Sequence, residues 1–100
     1  MLYRIVRMEF EASRKDDFIR AFYSKQPFIK AFPGCIDVAL MQDERDVNSM
    51  ATWSLWESND DLEAYRSSEL FKETWDNVKP MFSGKPKAYS LTKHKQIAND

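Results

Sequence analysis

The sequence predicts an α+β fold of the ferredoxin-like type, in which a split βαβ arrangement builds a four-stranded antiparallel sheet with helices on one face. Segments rich in β-branched and aromatic residues alternate with segments whose apolar residues recur every three or four positions. Their order along the chain is β-α-β-β-α-β, and polar turn residues separate them. We expect one domain over residues 1–94 and a polar tail over residues 95–100.

The first half of the chain supplies one strand and one helix. Residues 2–10 are predicted to form the first strand. Pro27 is expected to end or kink the following helix near Gln26, because proline has no N–H for the helical hydrogen bond. The Pro33-Gly34 pair predicts the turn into the second strand. The helix itself is predicted from an apolar stripe formed by Phe18, Ile19 and Phe22.

The second helical region is predicted to consist of two capped pieces. Ser58 or Asn59 should cap the first piece, since a short side-chain oxygen accepts a hydrogen bond from the free N–H groups of a helix start. Ser67 or Ser68 should interrupt the region and cap the second piece. That piece has apolar residues at steps of three and four, which are Leu70, Phe71, Trp75, Val78 and Phe82.

The remaining strands are predicted over residues 35–42, 49–57 and 86–94, and the sheet they form is apolar on both faces. In the first strand, Leu2, Val6, Met8 and Phe10 share one side, and Tyr3 and Ile5 the other. In the second strand, one side has Ile36, Val38 and Leu40, and the other has Cys35, Ala39 and Met41. In the third strand, one side has Ala51, Trp53 and Leu55, and the other has Met50 and Trp56. Helices cover only one face, so the other needs a partner. We therefore expect a homodimer formed through the sheet faces.

Composition excludes several classes of function. The net charge is −1 and the charges are interspersed, so nucleic acid is not an expected partner. No apolar stretch approaches 18 residues, so no membrane association is expected. The single cysteine, Cys35, cannot form an internal disulfide and is interpreted as a small buried hydrophobe in a cytoplasmic protein. With one Cys and one histidine, His94, which we expect at the surface, no metal site is predicted.

Four stretches together resemble the antibiotic biosynthesis monooxygenase family of dimeric α+β barrel proteins. They are AFPGC (31–35), WSLWESNDDLEAYR (53–66), SSELFKETW (67–75) and PKAYSL (86–91). The resemblance implies that O2 oxidises a quinol or polyphenol without a flavin, haem or metal cofactor. It does not assign a catalytic residue.

The resemblance also implies a pocket between the sheet and the helices, with Arg4, Val6, Tyr65, Phe71 and Trp75 as substrate-binding residues. Arg4 is preferred to Arg7 for holding a phenolate or carboxylate, because Arg4 is two positions from Val6 and so lies on the same face of the strand. The alternative is that Tyr65 and Trp75 are ordinary core residues. Each arginine would then pair with an acid such as Glu9 or Asp37, or lie in the dimer interface.

Haem degradation, an activity of one branch of the superfamily, is not expected. That branch has asparagine, tryptophan and histidine where this chain has Val6, Tyr65 and Trp75, so the axial iron ligand is missing. The first hypothesis is therefore a cofactor-independent monooxygenase. The alternative is a dimeric module that binds an aromatic metabolite without catalysis, and a third possibility is a non-oxygenase reaction that removes reactive carbonyls or quinones.

Overall fold

The computed structural model describes residues 1–95 and shows the predicted order of elements. Short 3-10 turns, Ala12–Arg14 and Lys79–Met81, flank the helical regions. The helices are α1 (Lys15–Lys30), α2 (Asn59–Arg66) and α3 (Glu69–Val78), and the strands are β1 (Leu2–Glu9), β2 (Cys35–Gln42), β3 (Ser49–Trp56) and β4 (Lys87–Leu91). The last strand is shorter than predicted, and residues 96–100 of the predicted tail lie outside the described residues. The extent of the domain, 1–94, stays a prediction.

The four strands form one antiparallel sheet in the order β2-β3-β1-β4. In its centre, β1 pairs with β3 so that Leu2 lies opposite Trp56 and Met8 opposite Met50. At the edge, β4 pairs with β1 and places Ser90 opposite Arg4. The prediction of an α+β, ferredoxin-like fold is confirmed.

The prediction that Pro27 ends the first helix near Gln26 is wrong, because α1 continues through it to Lys30. A proline removes one helical hydrogen bond, but the next turn still closes, since the Ala31 N–H donates to the Pro27 carbonyl at 3.1 Å. Phe22 and Ile29 lie two turns apart on the buried face of the continuous helix. Their burial offsets the lost hydrogen bond.

Gly34 forms the predicted turn between α1 and β2, and only glycine fits there. Its φ of 87° lies in the left-handed region. A Cβ at this position would also overlap the side chain of Asp61 in α2. The Gly34 carbonyl accepts a hydrogen bond from the Glu57 N–H at 2.9 Å, so this turn links the ends of β2 and β3 to the start of α2.

The core lies between the helices and one face of the sheet. Even-numbered residues of β1 point toward the helices, and Leu2 and Met8 among them are buried. Two packed groups result. The smaller contains Leu2, Trp56 and Leu62, and the larger contains Met8, Phe10, Phe18, Phe22, Ile29, Val38, Met50, Val78 and Met81.

The opposite face of the sheet, which we call the open face, is apolar and uncovered in the single chain. Its central residues, Tyr3 and Trp53, contact each other with ring centroids 6.2 Å apart. Neighbours on the outer strands remain about half exposed, with Met41 at 53% and Tyr89 at 48%. Exposed apolar patches of this kind are typical of interaction surfaces.

Cys35 does not belong to the open face, so its predicted side of the second strand is wrong. A register shift between Cys35 and Asp37 places Cys35 opposite Trp56, and its side chain packs against the helix-side core. It is partly buried, and its thiol pKa is raised, mainly by loss of solvent and then by the charge of Asp37. The bulge is the physical reason for the change of side.

Candidate functional site

A cavity of about 330 Å³ lies between the helix-side face of the sheet and the helices. This volume is at the lower end of the roughly 300–1,000 Å³ typical of small-molecule sites. The structure brings all five predicted site residues together in its lining, which includes Arg4, Val6, Tyr65, Phe71 and Trp75. That these residues bind a substrate stays a prediction.

One wall of the cavity belongs to a continuous run of aromatic rings. Trp56 stacks on Tyr65 with centroids 5.1 Å apart, and Tyr65 meets Phe71 edge-on at 5.3 Å. Phe71 and Trp75 are nearly parallel, with an interplanar angle of 8° at 6.0 Å. Trp75 then contacts Phe82 edge-on at 5.5 Å. Such offset and edge-on contacts fix the rings, so the wall is suited to a flat aromatic guest.

Ser68 sets the position of this wall, because it joins α2 to α3. Its hydroxyl oxygen accepts from the Phe71 N–H at 3.2 Å, and its O–H donates to the Tyr65 carbonyl at 2.6 Å. Ser58 similarly caps α2, accepting from the Asp61 N–H at 3.2 Å. Of the alternatives left open by the sequence, Ser58 and Ser68 are therefore the caps. One hydroxyl holds the backbones of both Tyr65 and Phe71.

The Tyr65 hydroxyl is a hydrogen-bond donor for which residues 1–95 provide no acceptor. Burial, together with the charge of Cys35, raises the pKa of Tyr65 to about 12, so the phenol is protonated at neutral pH. No hydrogen bond to another group in residues 1–95 contributes to that pKa. Within the same residues, every side-chain nitrogen or oxygen that is fully shielded from solvent has a partner. The hydroxyl is therefore not fully shielded from solvent, and Tyr65 is a lining residue of the cavity.

Arg4 contributes a positive charge to the floor of the cavity. Its Nη1 donates to the Ser90 hydroxyl oxygen at 2.8 Å. The pKa of Arg4 lies below its ordinary value, first because burial disfavours the charge and then because Arg66 repels it, while Glu63 acts in the opposite direction. No ion pair within residues 1–95 includes Arg4.

Arg7 forms ion pairs with acidic residues, which was the alternative role considered for both Arg4 and Arg7. It lies on the open face and pairs with Glu9 at 2.9 Å and with Asp43 at 3.3 Å. Asp37, the other suggested acid, pairs instead with Lys30 at 3.5 Å. Of the two arginines of β1, only Arg4 lines the cavity.

Sequence reasoning missed the polar groups that surround Arg4. Ser54 accepts from the Trp56 indole N–H at 3.0 Å, and its hydroxyl donates to the Arg4 carbonyl at 3.5 Å. Ser54 and Ser90 lie opposite Arg4 on its two neighbouring strands. The alternation of side chains along each strand could have indicated which residues share a face with these serines. Only the register of the strand pairing, however, places the two serines next to Arg4. Arg66, at the end of α2, also lines the cavity and was missed.

Within residues 1–95, the cavity lining includes no carboxylate, imidazole or thiol, and the ionisable side chains there are Arg4, Tyr65 and Arg66. Across the part of the chain that the structure describes, no three His, Cys, Asp or Glu side chains cluster as a metal site would require. His94 is exposed, away from the cavity lining. No helix within residues 1–95 is long and apolar enough to cross a membrane.

Comparisons with known proteins agree with this architecture. A candidate antibiotic biosynthesis monooxygenase from Bordetella bronchiseptica is 22% identical, with a TM-score of 0.84 over 94% of this chain and 97% of that one. Candidate members from Nitrosomonas europaea (15% identity, TM-score 0.86, 93% and 98% coverage) and Caulobacter crescentus (18%, 0.87, 94% and 90%) are similar. At such identities these structures establish the fold. No curated protein matches the chain significantly.

The family is established by the sequence itself. The family model described as antibiotic biosynthesis monooxygenase matches residues 1–76, which include β1, the aromatic wall up to Trp75 and both helix caps. The resemblance noted in the sequence is therefore confirmed: the chain belongs to the antibiotic biosynthesis monooxygenase family.

Proposed function

We propose that the protein is a cofactor-independent monooxygenase that oxidises a quinol or another polyphenolic small molecule with O2. The observation that carries the proposal is the cavity beside Tyr65 and Trp75. An aromatic wall would orient a ring there, and the free Tyr65 hydroxyl would donate a hydrogen bond to a substrate oxygen. Family membership supports the same reaction class.

The chemistry needs no external reductant. A bound phenolate passes one electron to O2, and the resulting radical pair combines to form a carbon–oxygen bond. The hydroperoxide then loses water and leaves a quinone. The substrate supplies all four electrons, so one oxygen atom enters the product and the other leaves as water. The role of the protein is to orient the ring, stabilise negative charge near Arg4 and exclude bulk water.

We also propose that the active species is a homodimer in which two open faces pack together. If each subunit buries about 800 Å² there, at about 25 cal/mol per Å², the gross gain is on the order of 20 kcal/mol per subunit before association costs. Half-exposed side chains such as Tyr89 and Leu91 would then be covered. A cytoplasmic location, inferred from the single cysteine, is part of the same proposal.

Oxygen uptake with a panel of dihydroxy-aromatic compounds tests the proposal. Wild-type protein should consume O2 faster than the autoxidation blank, and Trp75→Ala should lose most of that rate because the ring loses its wall. Phe28→Ala is the matched control, since Phe28 is 62% exposed on α1 and lines no part of the cavity. Uptake at the blank rate for every compound would contradict the oxygenase proposal.

A non-catalytic dimeric module that binds an aromatic metabolite is the second candidate. It is favoured by the lining that residues 1–95 form, which has no carboxylate or imidazole to act as a conventional general base. Thermal-shift measurements without oxygen separate the two functions. Binding that depends on Trp75, without O2 consumption in the parallel aerobic assay, would support the module and exclude the enzyme.

A further inference from the structure

The cavity lining contains two guanidinium groups from different elements. Arg4 projects from β1, and Arg66 belongs to the last turn of α2. They are close enough for Arg66 to repel the charge of Arg4. Bringing two like charges together is unfavourable, and a negatively charged guest would relieve it.

The two arginines have unequal partners within residues 1–95. Arg66 Nη1 pairs with Glu63 Oε1 at 3.1 Å, in a contact between two side chains that are about half exposed. Arg4 donates only to the neutral hydroxyl of Ser90. One carboxylate therefore accompanies two cations, and this part of the lining keeps a surplus positive charge.

Among residues 1–95, the remaining lining offers a bound neutral molecule no conventional proton acceptor. A phenol or acid that entered in its protonated form would need a proton acceptor, and the lining holds no carboxylate, imidazole or amine. The Tyr65 phenol is itself protonated, with a pKa of about 12. A ligand that is already an anion matches the surplus positive charge without a proton transfer to the protein.

We propose that the ligand of this cavity is an anionic aromatic compound whose charged oxygen group lies between Arg4 and Arg66. Its ring packs against Phe71 and Trp75, at the apolar part of the cavity. Arg66 is then a specificity-determining residue, because it adds the second guanidinium that a neutral ligand does not need. Glu63 competes with the ligand for Arg66. The proposal rests on the cavity being the binding site, as proposed above.

Calorimetric titration of wild-type protein without oxygen at pH 7 tests this, with naphthoate and its neutral isostere naphthamide as probes. A hydrogen bond to a charged group contributes enough for naphthoate to bind at least roughly tenfold more tightly. Arg66→Gln should weaken naphthoate binding much more than naphthamide binding and so remove most of this preference. Glu63→Gln should strengthen naphthoate binding, since Arg66 loses its competitor. Arg20→Gln, which removes an exposed arginine of α1, is the matched control and should change neither affinity.

Naphthol, substituted at the same ring position, identifies the source of the charge. Affinity that rises as naphthol ionises supports the proposal with a phenolate as ligand, and a preference confined to naphthoate supports it with a carboxylate. Equal wild-type affinity for naphthoate and naphthamide would overturn the inference and leave the proposed site intact. Binding of none of the three to folded wild-type protein would overturn both. Arg66 is at an exposed helix end, so we expect the Arg66→Gln variant to fold, and thermal melting checks this. Arg4→Gln is not used because it would alter the floor of the cavity.

Discussion

Replacing Tyr65 with phenylalanine tests whether the Tyr65 hydroxyl binds the ligand or stabilises the fold. The Tyr65 hydroxyl makes no hydrogen bond within residues 1–95 that contributes to its pKa, whereas its ring packs against Trp56 and Phe71. Tyr65→Phe keeps the ring and removes only the hydroxyl. At pH 7 we therefore expect the free energy of unfolding to stay the same or to rise slightly, because no intramolecular hydrogen bond is lost.

At alkaline pH the same substitution should stabilise the protein relative to wild type. The folded-state pKa of Tyr65 is about 12 against 10.0 for the ordinary phenol, so the unfolded chain loses this proton first as the pH rises. The folded state then holds more protons, and stability falls between the two pKa values. One pKa unit corresponds to about 1.4 kcal/mol, so wild type should lose about 1.4 kcal/mol by pH 11, and about 3 kcal/mol in total at still higher pH. Tyr65→Phe should lack this loss.

Urea unfolding of both proteins between pH 8 and pH 11, followed by circular dichroism, measures this difference. Tyr23→Phe is the matched control, because Tyr23 is 53% exposed on α1, and it should behave as wild type. In anaerobic titrations with a phenolic ligand, Tyr65→Phe should weaken binding by roughly two- to twelvefold, the value of one neutral hydrogen bond. A loss of more than about 1 kcal/mol of stability at pH 7 with unchanged ligand affinity would refute the reasoning, since the hydroxyl would then be structural.

Three further substitutions test the fold and the assembly. Gly34→Ala should lower the free energy of unfolding in urea by at least about 1–2 kcal/mol, because alanine is strained at a φ of 87°. Gly84→Ala should lower it much less, and equal losses would contradict the turn geometry. Ser68→Ala should lower the free energy of unfolding by about 1 kcal/mol, because the cap of α3 is lost. Ser67→Ala, at the exposed neighbouring position, should lower it little, and the reverse order would show that Ser68 is not the cap. Trp53→Asp should turn a dimer into a monomer in light scattering, and an unchanged dimer mass would place the interface elsewhere.

The fold could be predicted largely from the sequence because its signals are local. Alternation fixes which side chains of β1 and β3 share a face, and a step of three or four residues marks α3. Two of the errors, at Pro27 and Cys35, involve tertiary structure. Pro27 is tolerated because Phe22 and Ile29 remain buried on one continuous helix face, and Cys35 changes face because of a register shift. Neither effect is encoded in neighbouring residues.

The site could be predicted in part, for a similar reason. Arg4 followed from its parity with Val6, and Tyr65 and Trp75 from the family resemblance. Ser90 could not be connected to Arg4, because they are 86 positions apart and meet only through the pairing of β4 with β1. Arg66 adjoins Tyr65 in sequence, but successive helical residues point in different directions. Its place in the cavity lining depends on how α2 lies over the sheet.

A crystal structure of the complex with naphthoate is the most direct test of the central claim, that the helix side of the sheet holds an aromatic guest. We predict that the naphthalene ring lies within about 4 Å of Trp75 and Phe71, with its carboxylate oxygens in hydrogen-bond contact with Arg4. A ring bound on the open face beside Trp53 would contradict the claim. So would an interior in which the Tyr65 and Trp75 side chains close the cavity and leave no space for a ligand.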